Sequence, residues 1–252
     1  MIFTNKNEKI NELYNWLRKS RFCVVLTGAG VSVPSGIPDF RSSNGVYAKY
    51  GQDIFDIEVF HKNPDKFYEF AKEELVKMID TEPNEIHYLL AELEREGIVK
   101  GVVTQNIDNL HKKAGSVNVS EIHGNVRIWN CLKCTKRYDL FDEINREELI
   151  RNNFRCSCRG LTKPNIVFFG EMLPMNEFSK AETWSKQSDL FITMGTSLVV
   201  YPAAQLPIYA KNNGAKLVII TNGKTPLDNL ADMKLETDLI NFSKEIFSFL
   251  NC

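Results

Sequence analysis

The sequence predicts an α/β fold, a doubly wound parallel sheet of Rossmann-like type carrying an inserted small domain. Three observations point to it. Short apolar runs alternate with helical patterns, strand ends run repeatedly into small or polar residues, and two segments break the alternation.

The runs at 22–27 ("FCVVLT"), 98–104 ("IVKGVVT"), 118–122 ("NVSEI"), 165–169 ("NIVFF"), 189–194 ("DLFITM") and 216–221 ("KLVIIT") read as strands. Most are almost continuously apolar, as buried parallel strands covered on both faces are. Helices are expected near the N-terminus, where Ile10, Leu13, Tyr14 and Leu17 recur at helical spacing, and over 84–97, 201–214 and 238–251. Gly97 stops the second of these.

The exceptions are 40–80, aromatic-rich and helical without a strand, and 126–164, which carries four cysteines. This gives a discontinuous Rossmann-like domain (1–39, 81–125 and 165–252) and a small domain of two parts: a helical module (40–80) and a cysteine module (126–164).

A chain of 252 residues with 43% hydrophobic and 25% charged residues is ordinary globular material. Its net charge of −1 leaves no global nucleic-acid footprint. No apolar run approaches the roughly 20 residues of a membrane span, and the N-terminus lacks a signal-peptide core. A cytoplasmic monomer is expected, without nucleic-acid or membrane partners.

Strand ends deliver "TGAG", "TQNID", "IHG", "MGTS" and "TNG" to one sheet edge. Ligands of open α/β sheets bind there. "GAGVSVPSG" suits a loop whose backbone N–H groups approach a pyrophosphate, or an ordinary strand-to-helix turn. A dehydrogenase would place a third glycine at 33 and an acidic residue about 20 positions on. Position 33 is Val33, and the stretch before Asp53 is neither clean helix nor strand, so a nucleotide is retained and a dehydrogenase rejected.

Gln105, Asn106 and Asp108 either cap a helix or grip a carboxamide through donor and acceptor. His123 ends a strand; it is either structural or, neutral near pH 7, a proton acceptor. His61, His87 and His111 are read as surface or packing residues. Cys131, Cys134, Cys156 and Cys158 form C-x-x-C, 21 residues, then C-x-C. Four thiolates suit a closed, structural tetrahedral zinc site, with four free thiols as the alternative. The C-x-C pair is tighter than the usual knuckle, and Gly160 makes such a turn feasible. Cys23 reads as a core residue, and Cys252 stands alone.

Taken in order, "GAGVSVPSGIPDFR", "TQNIDNLH", "IHG", the paired cysteines, "KPNIVFFGEMLP", "GTSLVVYPAAQLP" and "TN" resemble the sirtuin family of NAD-dependent protein-lysine deacylases, in its compact bacterial or archaeal form. The similarity runs from about residue 10 to 245. It implies that NAD+ lies across the sheet edge in a pose needing no third glycine.

By position, the resemblance implies NAD+ contacts from Gly28, Ala29, Gly30, Ser32, Val33, Asp39 and Arg41, with Phe40 shielding the reactive ribose carbon. Gln105, Asn106, Ile107 and Asp108 would line the nicotinamide pocket, Asp108 holding the carboxamide. Gly195, Thr196 and Ser197 would face phosphates and ribose, and Asn222 and Leu239 the adenosine end, where Lys224 stands in place of an acidic residue. His123, assisted by Asn106, would be the catalytic pair, His123 acting as base on the ribose hydroxyls. Acetyl-lysine proteins or peptides would thread past Val167, Phe168, Phe169, Gly170 and Val199. Tyr-x-x-Arg, the pattern family members use for acidic acyl groups, does not occur in 40–80, so the resemblance implies acetyl or another neutral acyl group. Zn2+ would keep the cysteine module folded. NAD+ hydrolysis or ADP-ribosyl transfer on the same fold, and a non-catalytic NAD+ sensor, are the alternatives.

Overall fold

The computed structural model describes residues 6–250; Cys252 and the ends of the first and last expected segments lie outside that range. Among the described residues the strands are β1 Cys23–Thr27, β2 Val99–Thr104, β3 Val119–Glu121, β4 Gly124–Cys131, β5 Arg137–Asp139, β6 Thr162–Ile166, β7 Leu190–Met194, β8 Lys216–Ile220 and β9 Met233–Leu235. Six of them form a parallel sheet in the order β3-β2-β1-β7-β8-β9.

Side chains alternate across a strand, and here both faces are apolar. Cys23, Val25, Ile192, Val218 and Ile220 face a core shared with Ile10, Leu13, Leu90, Phe242 and Ile246. Their neighbours Val24, Leu26, Phe191, Leu217 and Ile219 face a second core with Ala181, Leu206 and Ala210. Helices Lys6–Lys19, Glu85–Arg95 and Leu239–Leu250 thus cover one face, and Met175–Gln187 and Leu206–Asn212 the other. Burial on two sides is why these strands read as unbroken apolar runs.

The expected strand at 165–169 does not belong to this sheet. β6 pairs antiparallel with β4 in a separate three-stranded sheet, β5-β4-β6. Its own burial alternates, with Thr162, Pro164 and Ile166 inward and Asn165 exposed. Pro164 is tolerated because β6 is an edge strand. Val167–Phe169 continue past the strand, where the Phe169 N–H donates to the Phe55 carbonyl at 2.7 Å and the Ile57 N–H to the Phe169 carbonyl at 3.1 Å.

The small sheet and the helices of 46–80 share one aromatic core, with Phe60, Phe67, Phe70, Trp129, Phe154 and Phe168 fully buried. Edge-to-face contacts fill it, as between Phe60 and Phe168 at 5.5 Å between ring centres. Among the described residues no helix is long and apolar enough to cross a membrane.

Candidate active site and cysteine cluster

At the carboxyl edge of the parallel sheet the loops after β1 and β7 interlock. The Gly28 N–H donates to the Met194 carbonyl and the Gly30 N–H to that of Gly195, at 3.0 and 2.9 Å. A Cβ on Gly30 would lie 2.8 Å from the Gly195 Cα, closer than a side chain allows. Glycine here permits backbone-to-backbone contact, and the third glycine of the dehydrogenase pattern plays no part in it.

Between this edge and the small domain lies a cleft of about 750 Å³. Gly28, Ala29, Gly30, Gln105, Asn106, Ile107, His123, Gly195, Thr196 and Ser197 line its sheet side. Asp39, Phe40, Arg41, Val167, Phe168, Phe169 and Gly170 line it opposite. Ser32 and Asp108 lie behind, on a void of about 20 Å³ that shares Ala29, Phe40, Phe55, Asn106 and Ile107 with the cleft.

The loop after β2 is held by its own side chains. The Asn106 amide donates to the Gly28 carbonyl at 3.1 Å and to the Ser32 hydroxyl at 3.0 Å, and the Gln105 amide donates to Thr196 Oγ1 at 2.9 Å. The Ser32 hydroxyl donates to Asp108 Oδ2 at 2.7 Å, and the Leu110 N–H to Oδ1 at 2.9 Å. Burial raises the Asp108 pKa against these donors.

His123 Nδ1 lies 2.9 Å from the Gln105 carbonyl oxygen. A carbonyl only accepts, so Nδ1 carries the proton and Nε2 keeps its lone pair. Burial lowers the His123 pKa, partly offset by this bond, and holds the ring neutral.

Four expected contacts are not brought to the cleft. Val33 is exposed outside it, and Val199 is exposed while Val200 and Tyr201 line the wall instead. Asn222 is exposed between the lining residues Thr221 and Gly223. Leu239 is buried with Phe242 and Ile246 in the core of its own helix. Tyr47, Phe55, Glu171, Met172, Met175 and Phe178 also line the cleft, and sequence reasoning missed them. The first two were hidden in the aromatic run of 40–80, whose other rings fill the core.

His87 and His111 are packing residues, not surface ones, with ring centres 4.8 Å apart. The Asn84 N–H donates to His87 Nδ1 at 3.3 Å, so Nε2 carries the proton and points at the Ser32 hydroxyl. Burial pushes the His87 pKa down to about 4, and that of His111 well below its usual value.

The four cysteines of the small domain converge, all Sγ atoms within 4.8 Å of one another. Cys131 and Cys158 are 3.5 Å apart and Cys134 and Cys156 3.7 Å. Tetrahedral zinc with Zn–S bonds of about 2.3 Å requires sulfur separations of about 3.8 Å. The tighter C-x-C pair closes through the Cys156 N–H, which donates to the Gly160 carbonyl at 2.9 Å. A Cβ on Gly160 would come within 2.9 Å of the Cys131 sulfur. The donor set fits zinc, and among the described residues no cysteine lines the cleft.

Comparison with known proteins agrees with this geometry. A family profile described as the Sir2 family matches residues 28–202. The NAD-dependent protein deacetylase of Thermotoga maritima is 47% identical over 238 residues, 94% of this chain and 97% of that protein. A solved Sir2 with a deacetylated p53 peptide and 3′-O-acetyl ADP ribose superposes with a TM-score of 0.90 at 45% identity, covering 95% of this chain and 98% of that one. A Sir2 with p53 peptide and NAD+ gives 0.88 at 44% identity, covering 96% and 98%. Identity at this level, over nearly the whole of both chains and with one fold, leaves a single conclusion: the chain belongs to the Sir2 family.

Proposed function

We infer that the chain is an NAD-dependent protein-lysine deacetylase, moving the acetyl group of an acetyl-lysine side chain to ADP-ribose with release of nicotinamide. The observation that carries the reading is a neutral His123, its Nε2 unprotonated, on the same cleft as an interlocked glycine edge and an apolar wall. The relatives named above supply the chemistry: one is named a deacetylase, and others were solved with NAD+ or an acetylated ADP-ribose.

The residues fit the dinucleotide. Gly28 and Gly30 let the loops after β1 and β7 interlock as the floor of the cleft, and Asp108 is buried on the void next to Asn106, its carboxylate accepting from the Ser32 hydroxyl and the Leu110 N–H. When bound, NAD+ supplies an electrophilic ribose carbon as its bond to nicotinamide breaks. Asp108 and Asn106 would orient the nicotinamide amide, the carboxylate accepting from its N–H. Phe40, on both the cleft and the void, would cover the reacting carbon and exclude water.

The acetyl-lysine stem would lie along Val167, Phe168 and Phe169, where apolar contact replaces hydration. His123 Nε2 would take a proton from a ribose hydroxyl, and the Gln105 carbonyl stabilises the imidazolium that results. Zinc takes no chemical part; its thiolates would hold β4 and the Cys156–Gly160 turn together. Free thiols gathered for a metal belong in a reducing compartment, and we place the enzyme in the cytoplasm. The test is mass spectrometry of an acetyl-lysine peptide incubated with the protein: loss of the acetyl group only when NAD+ is present supports the reading, and retention under both conditions contradicts it.

A further inference from the structure

The groups on the sheet edge follow an order in space. The loop after β2 carries Asn106 and Asp108, the loops after β1 and β7 carry the glycines, and the loop after β8 carries Thr221, Gly223 and Lys224. Along the order β2-β1-β7-β8 these are three successive steps of about 4.8 Å each. On the function inferred above, nicotinamide lies at the β2 end and the diphosphate over the glycines. The adenosine half then lies over the end of β8, and the proposal below rests on that reading.

The loop after β8 offers that half one free charge, and it is positive. Lys224 lines the cleft, is exposed, and has no hydrogen-bond or ion-pair partner among the described residues. The nearby acids are already engaged. Asp228 Oδ2 lies 2.5 Å from Lys234 Nζ, and its Oδ1 accepts from the Thr225 hydroxyl at 2.6 Å. Glu236 also pairs with Lys234, at 3.3 Å. Lys234 further donates to the Gly223 carbonyl at 2.9 Å, which fixes the backbone next to Lys224.

In dinucleotide sites, a carboxylate at the adenosine ribose accepts from its hydroxyls and repels a phosphate there, whereas a cation accommodates a 2′-phosphate. We propose that the β8 end of the cleft accepts a 2′-phosphorylated adenosine ribose with Lys224 as its partner, so that the protein binds the 2′-phosphorylated dinucleotide as well as NAD+.

The test is titration calorimetry of the full chain with two probes, ADP-ribose and its 2′-phosphate, on wild type and Lys224→Glu. Wild type is expected to bind the 2′-phosphate at least as tightly as ADP-ribose. Lys224→Glu is expected to weaken the 2′-phosphate about tenfold relative to ADP-ribose, the scale of one charge-assisted hydrogen bond. Wild type that binds ADP-ribose but disfavours the phosphate tenfold overturns the proposal and leaves the functional reading standing. Equal weakening of both probes by the substitution also overturns it, and assigns Lys224 to the diphosphate. Wild type that binds neither probe contradicts the dinucleotide reading and the proposal together.

Discussion

The Nδ1–H of His123 donates to the backbone carbonyl of Gln105 across 2.9 Å, which turns the unprotonated Nε2 toward the cleft. Gln105 is itself tied to Thr196 by its amide, so the loops after β2 and β7 together set the orientation of the ring. The base is positioned by backbone before any substrate arrives.

His123→Ala should therefore retain NAD+ binding and lose acyl transfer by about 10²–10⁴-fold, the usual worth of a positioned general base. Steady-state deacetylation beside calorimetric NAD+ binding checks this. Near-normal turnover in the variant removes His123 from the mechanism. Because burial lowers its pKa, the wild-type rate should hold at pH 7 and fall only as pH drops through a value below 6.5.

Asp108→Asn keeps the shape of the side chain but replaces a two-oxygen acceptor with one that also donates. The buried carboxylate accepts from the Ser32 hydroxyl on one oxygen and from the Leu110 N–H on the other. We expect nicotinamide release to fall about 10- to 100-fold, the cost of one hydrogen bond to a charged group. The circular dichroism spectrum should be unchanged. Full activity in this variant contradicts the assigned role.

The cysteine cluster predicts one zinc per chain. Cys131→Ala should lower metal content and melting temperature together, as should prolonged chelation of the wild type. Metal analysis with thermal unfolding checks this. A metal-free variant of unchanged stability and activity contradicts a structural site.

His87 gives a pH dependence of stability with a definite sign. Its folded pKa is about 4, against about 6.5 in an unfolded chain. Between those values the unfolded state binds the proton and the folded state does not, so stability is full above pH 6.5 and is lost as pH falls toward 4. At pH 5 the loss amounts to about 2 kcal/mol. Urea unfolding at pH 7 and 5 should show a steeper loss in wild type than in His87→Gln. Parallel losses contradict the assignment.

How far the sequence could be read depended on how each residue is buried. β1, β2, β7 and β8 were legible because two apolar faces leave an unbroken run. The same rule misassigned 165–169: Val167, Phe168 and Phe169 are apolar because they line the cleft, Phe168 also filling the small-domain core. For His87 and His111 the sequence left surface and packing roles open, because Lys112, Lys113 and Glu85 flank them, and the helices turn both imidazoles inward. Glycines and loop amides were found because their chemistry is local. Phe178 and Met175 were missed because they sit on a helix with few buried apolar positions to announce it. Leu239 follows the opposite pattern, expected at the ligand and used by the core.

The most direct test of the account is nicotinamide release from NAD+ by the purified protein, measured with and without an acetyl-lysine peptide. The account predicts release that depends on the peptide and matches the acetyl groups lost, one for one. Release at the same rate without peptide, or no release in its presence, contradicts it.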